Sequence, residues 1–238
     1  MKEVFNVPKC SVMTFHHSCM PYFYEYTINS TVIGRPTAVC DLGAMFDCQL
    51  SCKVHLDRTV CNALKNLGLL KRVCQKFNNV HALRAIYIAL ERSKLQYSVV
   101  NWSPYYNTDS IRLECAQNKF LKFINFKLGI SQSDYNTSYL LSLLNLKPLS
   151  DRRSSIDALF LYKIISTYID CSFLLSLVNL NAPRRSSRNP HPFVVNYHRT
   201  NDAFNSPLSR MMRNFNKFDQ SFDFSISLSR FQSHLWQI

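Results

Sequence analysis

A chain of 238 residues, 47% of them hydrophobic, can bury a substantial core, which excludes wholesale disorder. Its longest apolar stretches, Leu140–Leu144 and Phe173–Leu180, are far too short for a membrane span. Residues 1–15 contain no signal-peptide-like run, so an intracellular location, nuclear or cytoplasmic, is expected rather than secretion. The formal net charge of +13 is unevenly spread: residues 48–127 hold 13 Lys or Arg against four Asp or Glu, and residues 179–217 hold seven against one. Such an excess favours a polyanionic partner, either nucleic acid or an anionic membrane surface.

Residues 9–16, 22–28, 31–34 and 38–46 are short, aromatic and β-branched, and they predict a small antiparallel sheet with Asn29-Ser30 as a hairpin turn. Gly43 falls inside the last of these stretches, where a glycine marks a bulge or the close approach of another backbone or a ligand. After Leu50 the period becomes helical through Val54, Cys61, Leu64, Leu67, Cys74 and Phe77, with Ser51 as the N-cap. A second helix is predicted over 79–97, with Leu83, Ile86, Leu90 and Tyr97 inward. A third covers 109–126, with Leu113, Ala116, Phe120, Phe123 and Ile124 inward. Residues 135–144 are helical too, and Ser150 or Asp151 caps a helix carrying Ile156, Leu159, Phe160, Ile164 and Tyr168. All these stripes read as core faces.

Past Asn179 the texture changes. "NAPRRSSRNPHPFVVNYHRT" holds three prolines and paired arginines, and reads as an extended arm with a strand-like Phe193–Tyr197. Ser206-Pro207 then opens a terminal helix with the stripe Leu208, Met211, Met212 and Phe215. The expected fold class is α+β, mostly α: a small N-terminal antiparallel sheet, a helical bundle and a basic C-terminal arm. The expected segments are 1–50, 51–130, 131–180 and 181–238.

Chemistry is sparse. Nine cysteines without a secretion signal read as free, buried thiols. Cys48, Cys52, His55 and Cys61 form the one metal-like group, but no second tight pair completes a zinc spacing. His16, His17 and Cys19 fit a solvated loop. No two acidic residues are adjacent, and Gly34, Gly43, Gly68 and Gly129 are too scattered for a phosphate-cradling loop. Neither a Gly-x-Ser-x-Gly elbow nor a His-Glu-x-x-His motif occurs. No bond chemistry is expected from these residues alone, and no metal or other cofactor is expected in this chain.

The order of "KCSVMTF", "YTINSTVIGR", "CDLGAMFDCQLSCKVHL", "SPYY", "NKFLKF", "LSDRRSSIDALFLYKII", "PRRSSRNPHPF" and "HRTNDAFNSPLSRMMRNFN" resembles the C-terminal part of the reverse transcriptase of jockey-type non-LTR (LINE-like) retrotransposons. The similarity runs with gaps from about Lys9 to Asn216. It implies that Leu42 and Gly43 match the primer grip, where a missing Cβ lets the backbone approach the sugar-phosphate chain. It also implies that the helices from Ser51 to about Phe126 match the thumb, and that the partner is RNA or an RNA–DNA template–primer, with no membrane.

By the same resemblance, the fingers, most of the palm and the aspartates that bind Mg2+ in the full-length polymerase lie outside this chain. The chain would then be a truncated, catalytically inactive RNA-directed DNA polymerase that keeps its gripping parts. Asn29-Ser30 stands where the family usually has Asn-Gly, and Ala44, Cys48 and Cys52 stand for Val, Ser and Phe. Pro36 and Cys40 replace an apolar residue and a lysine near the grip.

Thumb-like gripping needs cations on outer helix faces, and Lys65, Lys71, Arg72, Lys119 and Lys122 are the candidates. A rival centre is the arm, with Arg184, Arg185, Arg188 and His198 for phosphates and Phe193 and Tyr197 for stacking, in a nucleic-acid-binding protein recruited from the element. A second rival is a helical protein-interaction module using Leu140–Leu144 and Phe173–Val178 as exposed apolar surfaces. A third is a decayed copy with no cellular role.

Overall fold

In the computed structural model, which describes residues 6–16, 22–181, 191–218, 224 and 226–237, the chain is α+β and mostly α. It divides into two compact units, Met1–Asn62 and Ala63–Ile238. The boundary expected after residue 50 therefore lies inside the first unit, and those expected after 130 and 180 lie inside the second.

In the first unit the expected sheet is two separate hairpins. β1 (Thr27–Ile28) pairs with β2 (Thr31–Val32), and β3 (Ala38–Asp41) pairs with β4 (Ala44–Asp47), both antiparallel. Asn29 and Ser30 both have positive φ, 49° and 61°, as a type I′ turn requires, so this turn is where it was expected. Gly43 is a correction. It lies in no strand: Leu42 (φ 45°) and Gly43 (φ 85°) form a second two-residue turn, with Asp41 opposite Ala44. The glycine answers the backbone demand of the turn itself.

Residues 9–16, expected as a strand, make no ladder, and Lys9 closes a 3-10 turn, Val7–Lys9. Val12 N–H donates to the Gly34 carbonyl (3.0 Å) and His16 N–H to the Cys48 carbonyl (2.9 Å). The Arg35 guanidinium ties the segment down by donating to Thr14 Oγ1 and to the Tyr24 carbonyl. Tyr22, Phe23 and Tyr24 stand exposed, so their strand propensity finds no half-buried surface to pack on. The N-cap position falls one residue after Ser51: α1 (Lys53–Val73) takes its first helical bond on the Cys52 carbonyl, while the Ser51 hydroxyl, tied to the Asp47 carboxylate, still accepts from Lys53 N–H at 3.4 Å.

The second unit holds two apolar cores. The first joins Leu67, Leu70 and Cys74 of the first helical run to Leu83, Tyr87, Phe120, Ile124, Leu140 and Leu144. Asn79 caps α2 (Val80–Tyr87) by accepting from the N–H groups of His81 and Ala82. The helix continues through a π segment, Ile88–Arg92, into α3 (Ser93–Gln96), and α4 (Val99–Trp102) follows.

That π segment overturns part of the expected face. An α-helix returns to the same side about every 3.6 residues. A π turn, with its i→i+5 bonds, uses one residue more. The buried residues accordingly step by four, through Leu83, Tyr87, Glu91, Leu95 and Val99, while Leu90 and Tyr97 point outward. Glu91 is 1% exposed, and neither carboxylate oxygen has a hydrogen-bond partner. Burial pushes its pKa up to about 8, against the pull of Lys71.

α5 (Asn107–Lys127) buries Leu113, Ala116, Phe120 and Ile124 as expected, with Phe123 only partly covered. Gly129 (φ 68°) ends it: Gly129 N–H donates to the Phe126 carbonyl and Ile130 N–H to that of Asn125. α6 (Thr137–Leu143) is capped by Asn136. Leu140 and Leu144 are in the core, which removes that pair from any exposed apolar surface.

α7 (Leu149–Ile165) begins without help from Ser150 or Asp151. Glu114 of α5 supplies the cap instead, its two oxygens accepting from the N–H groups of Leu149 (3.2 Å) and Ser150 (2.7 Å). A carboxylate suits a helix start, where free N–H groups and the dipole both favour negative charge. Because α7 ends at Ile165, Tyr168 falls beyond it and is exposed.

The second core unites Ala158, Leu161 and Tyr162 of α7 with Phe193, and with Met211, Met212 and Phe215 of a later helix. The remaining helices are α8 (Ser172–Ser176), α9 (Asn201–Phe204), α10 (Pro207–Phe215) and α11 (Leu228–Gln237), which brings in Phe231 and Leu235. Tyr162 stacks on Phe231 with centroids 4.1 Å apart, and Phe193 meets Phe215 edge-on at 5.1 Å. A buried ion pair lies beside these rings. Arg210 Nε and Nη2 donate to the Asp157 carboxylate at 3.0 and 3.3 Å, and Asn214 adds a third donor at 2.9 Å. Among the described residues no helix is long and apolar enough to cross a membrane.

Candidate nucleic-acid interface

α1 and α5 are both long, and each turns a cationic edge outward. In the Ala63–Ile238 unit the last turn of α1 and the last two turns of α5 flank a groove of about 470 Å³. Lys71 and Arg72 line it from α1, and Lys122 and Lys127 line it from α5. Phe123 lies between two of them, with Lys71 Nζ 5.9 Å and Lys127 Nζ 5.7 Å from its ring centroid. Phe126 is 79% exposed beside them. Lys127 also donates to the Gln75 carbonyl, which ties the tail of α1 to α5.

None of the four cations has a carboxylate within ion-pair distance among the described residues. Their charge faces the groove, with only the buried Glu91 carboxyl felt by Lys71 among them. A shallower hollow of about 250 Å³ adjoins it, sharing Lys122 and Phe126 and reaching Tyr135, whose ring lies 6.0 Å from Lys122 Nζ. Cations at this density hold a phosphate chain, and an exposed aromatic face offers a stacking platform for a base.

Three of the five thumb candidates, Lys71, Arg72 and Lys122, thus converge on one groove from helices about fifty residues apart. Lys65 and Lys119 are exposed on the same two helices but do not line it. Lys127, Phe123 and Phe126 belong to the groove and were missed. The repeated pairing of an aromatic with a lysine across Lys122-Phe123 and Phe126-Lys127 was the available signal. Reading Phe123 as fully inward concealed it.

The other candidates sit apart from this groove. Leu42 and Gly43 form the turn of the first unit, with Leu42 85% exposed. Arg184, Arg185 and Arg188 lie outside the described residues. His198 is half-buried, its Nε2 3.1 Å from Ser209 Oγ on α10. Phe193 is a correction: it is 2% exposed in the second core and offers no ring for stacking, whereas Tyr197 is 91% exposed. The described part of the expected arm is therefore anchored at Phe193.

The metal-like group does not assemble. His55 Nδ1 accepts from Met45 N–H (3.1 Å), which leaves the proton on Nε2, 3.3 Å from Thr59 Oγ1. Burial, then Arg58, lowers its pKa, so the ring stays neutral as a structural bridge. No cluster of three or more His, Cys, Asp or Glu among the described residues is placed to hold a metal ion. The eight described cysteines are free thiols, but only Cys74 is buried; Cys40, Cys61 and Cys115 sit on outward faces, contrary to the buried expectation. His17 and Cys19 lie outside the described residues. No family model, curated protein or solved structure matches the chain.

Proposed function

We propose that this chain grips nucleic acid through its phosphates, as the template–primer-holding part of a jockey-type non-LTR retrotransposon reverse transcriptase. The palm and fingers of the parent polyprotein would be its working partners. RNA or an RNA–DNA template–primer is the ligand, which implies work in the nucleus or cytoplasm. The polymerase part of this reading rests on the ordered sequence motifs. The binding part rests on one observation: Lys71, Arg72, Lys122 and Lys127 converge, without an ion pair among the described residues, on a groove with an exposed aromatic wall. The same groove supports a nucleic-acid-binding protein recruited from such an element.

Binding of this kind gives affinity without sequence readout. With roughly four to six phosphates neutralised, log affinity falls against log salt with a slope of about −3 to −5. Replacing Lys71, Lys122 and Lys127 together by Gln flattens the slope by about 2 to 3. Fluorescence anisotropy of an RNA–DNA duplex across a salt series measures both. An unchanged slope in the triple variant, or no binding at low salt, removes the groove from the reading.

A further inference from the structure

A second cationic hollow is lined by other residues of the same unit. It measures about 480 Å³ and lies among the end of α4, the start of α7, α9 and α10. Arg153, Arg210, Arg213 and Lys217 face it, with the hydroxyl-bearing Ser150 and Ser154. Two of these charges are already answered. Arg210 is held by Asp157, and Arg153 donates to Ser110 Oγ (2.6 Å) with Glu114 at 4.0 Å. Arg213 and Lys217 have no carboxylate partner among the described residues.

Arg213 is also held in position. Its Nη2 donates to Asn205 Oδ1 (2.9 Å), and its guanidinium carbon lies 3.5 Å from the Phe204 ring centroid. Its Nε–H is buried and has no acceptor. Burial and the neighbouring Arg210 both press its pKa downward. The cation is therefore fixed in a place that disfavours it, and an anion in the hollow would relieve that cost. The Lys217 ammonium, 3.5 Å from Asn214 Oδ1, is exposed and free to close on a ligand. The nearby Asp202 carboxylate accepts from the Tyr105 hydroxyl (3.1 Å).

We propose that this hollow binds a phosphate group, with Arg213 and Lys217 as its ligands and Arg153 and Arg210 setting the surrounding field. A planar guanidinium beside an exposed ammonium suits an anion with several acceptor oxygens, and the hollow has room for the rest of a phosphate ester. The phosphate comes from a free small molecule or from the end of a nucleic-acid strand. The inference goes beyond the groove and stands without it.

Titration calorimetry of the full chain with inorganic phosphate, at ionic strength matched by chloride, tests it. Phosphate binds the parent, and binds roughly 10- to 100-fold more weakly to Arg213→Met and to Lys217→Gln. Lys94→Gln, exposed and outside both the hollow and the groove, leaves this binding unchanged. Arg213→Met keeps a side chain on Phe204, and Lys217→Gln alters an exposed position, so at least one variant remains folded. A short DNA with a 5′-phosphate that outcompetes its 5′-hydroxyl counterpart, in an Arg213-dependent way, assigns the strand end. Equal binding of the two DNAs, with inorganic phosphate still bound, assigns a free ligand. No phosphate-specific heat in the parent, or an affinity in both hollow variants equal to the parent's, overturns the proposal.

Discussion

The two cores of the Ala63–Ile238 unit are built in opposite ways. The first is mainly aliphatic, and its walls come from helices within about eighty residues of one another. Its buried carboxyl among the described residues, Glu91, has no hydrogen-bond partner. The second is rich in aromatic rings, draws on segments from α7 to α11, and surrounds a buried charge that is fully answered, Asp157 with Arg210 and Asn214. The contrast shows how each core treats polar groups. In the second, the ion pair links α7 to α10 across 53 residues of sequence and so helps to fix their register. In the first, a carboxyl is tolerated because it can hold its proton.

Breaking the ion pair has the largest expected effect. Asp157→Ala strands Arg210 in an enclosed setting and costs about 3–5 kcal/mol, read by urea denaturation. Hydrogen exchange sharpens the comparison: protection falls at Tyr162, Met212 and Phe231 before it falls at Leu83 and Phe120. A uniform loss would mean that the two cores melt as one body.

The next effect is pH-dependent. The Glu91 pKa rises from 4.5 to about 8 on folding. Between those values the unfolded chain releases a proton that the folded chain keeps, so this residue makes stability decline as pH rises through the window. Glu91→Gln removes that decline. The variant matches the parent near pH 4 and exceeds it above pH 8 in thermal melts. An advantage of equal size at both pH values would show that the carboxyl is ionised or solvated in the fold.

The smallest effect concerns the link between the cores. Glu114 stands on a helix of the first and caps a helix of the second. Glu114→Gln keeps an acceptor but loses the charge, at a cost of about 1 kcal/mol. Faster amide exchange at Leu149 and Ser150 reports it.

Much of the first core was legible from spacing, because Leu67, Leu83, Phe120 and Ile124 recur with local helical periods. What failed there was the assumption of a single period, and the π segment exchanged Leu90 for Glu91. The second core was less legible, since nothing local to Phe193 shows that a proline-rich stretch will insert its ring beside Phe215. The cap of α7 was hidden for the same reason: the carboxylate that accepts from its first N–H groups, Glu114, lies 35 residues upstream of Leu149. In the groove, Lys71, Arg72 and Lys122 could be chosen by charge alone. Their meeting with Lys127 depends on how α1 and α5 pack, which no one-dimensional pattern records.

The π segment also has a meaning in terms of insertion and deletion. From Leu83 to Leu95 the helix spends twelve residues on three turns, one more than ordinary α geometry needs. Shortening the chain by one residue within Ile88–Arg92 would let i→i+4 bonds run through, with leucine still delivered to the same wall. Where the residue removed is Glu91 or Arg92, Leu90 falls seven residues after Leu83 and takes the inward place, whereas removing one of residues 88–90 keeps Glu91 there. Which residue is lost therefore decides whether a leucine or a carboxyl meets the core.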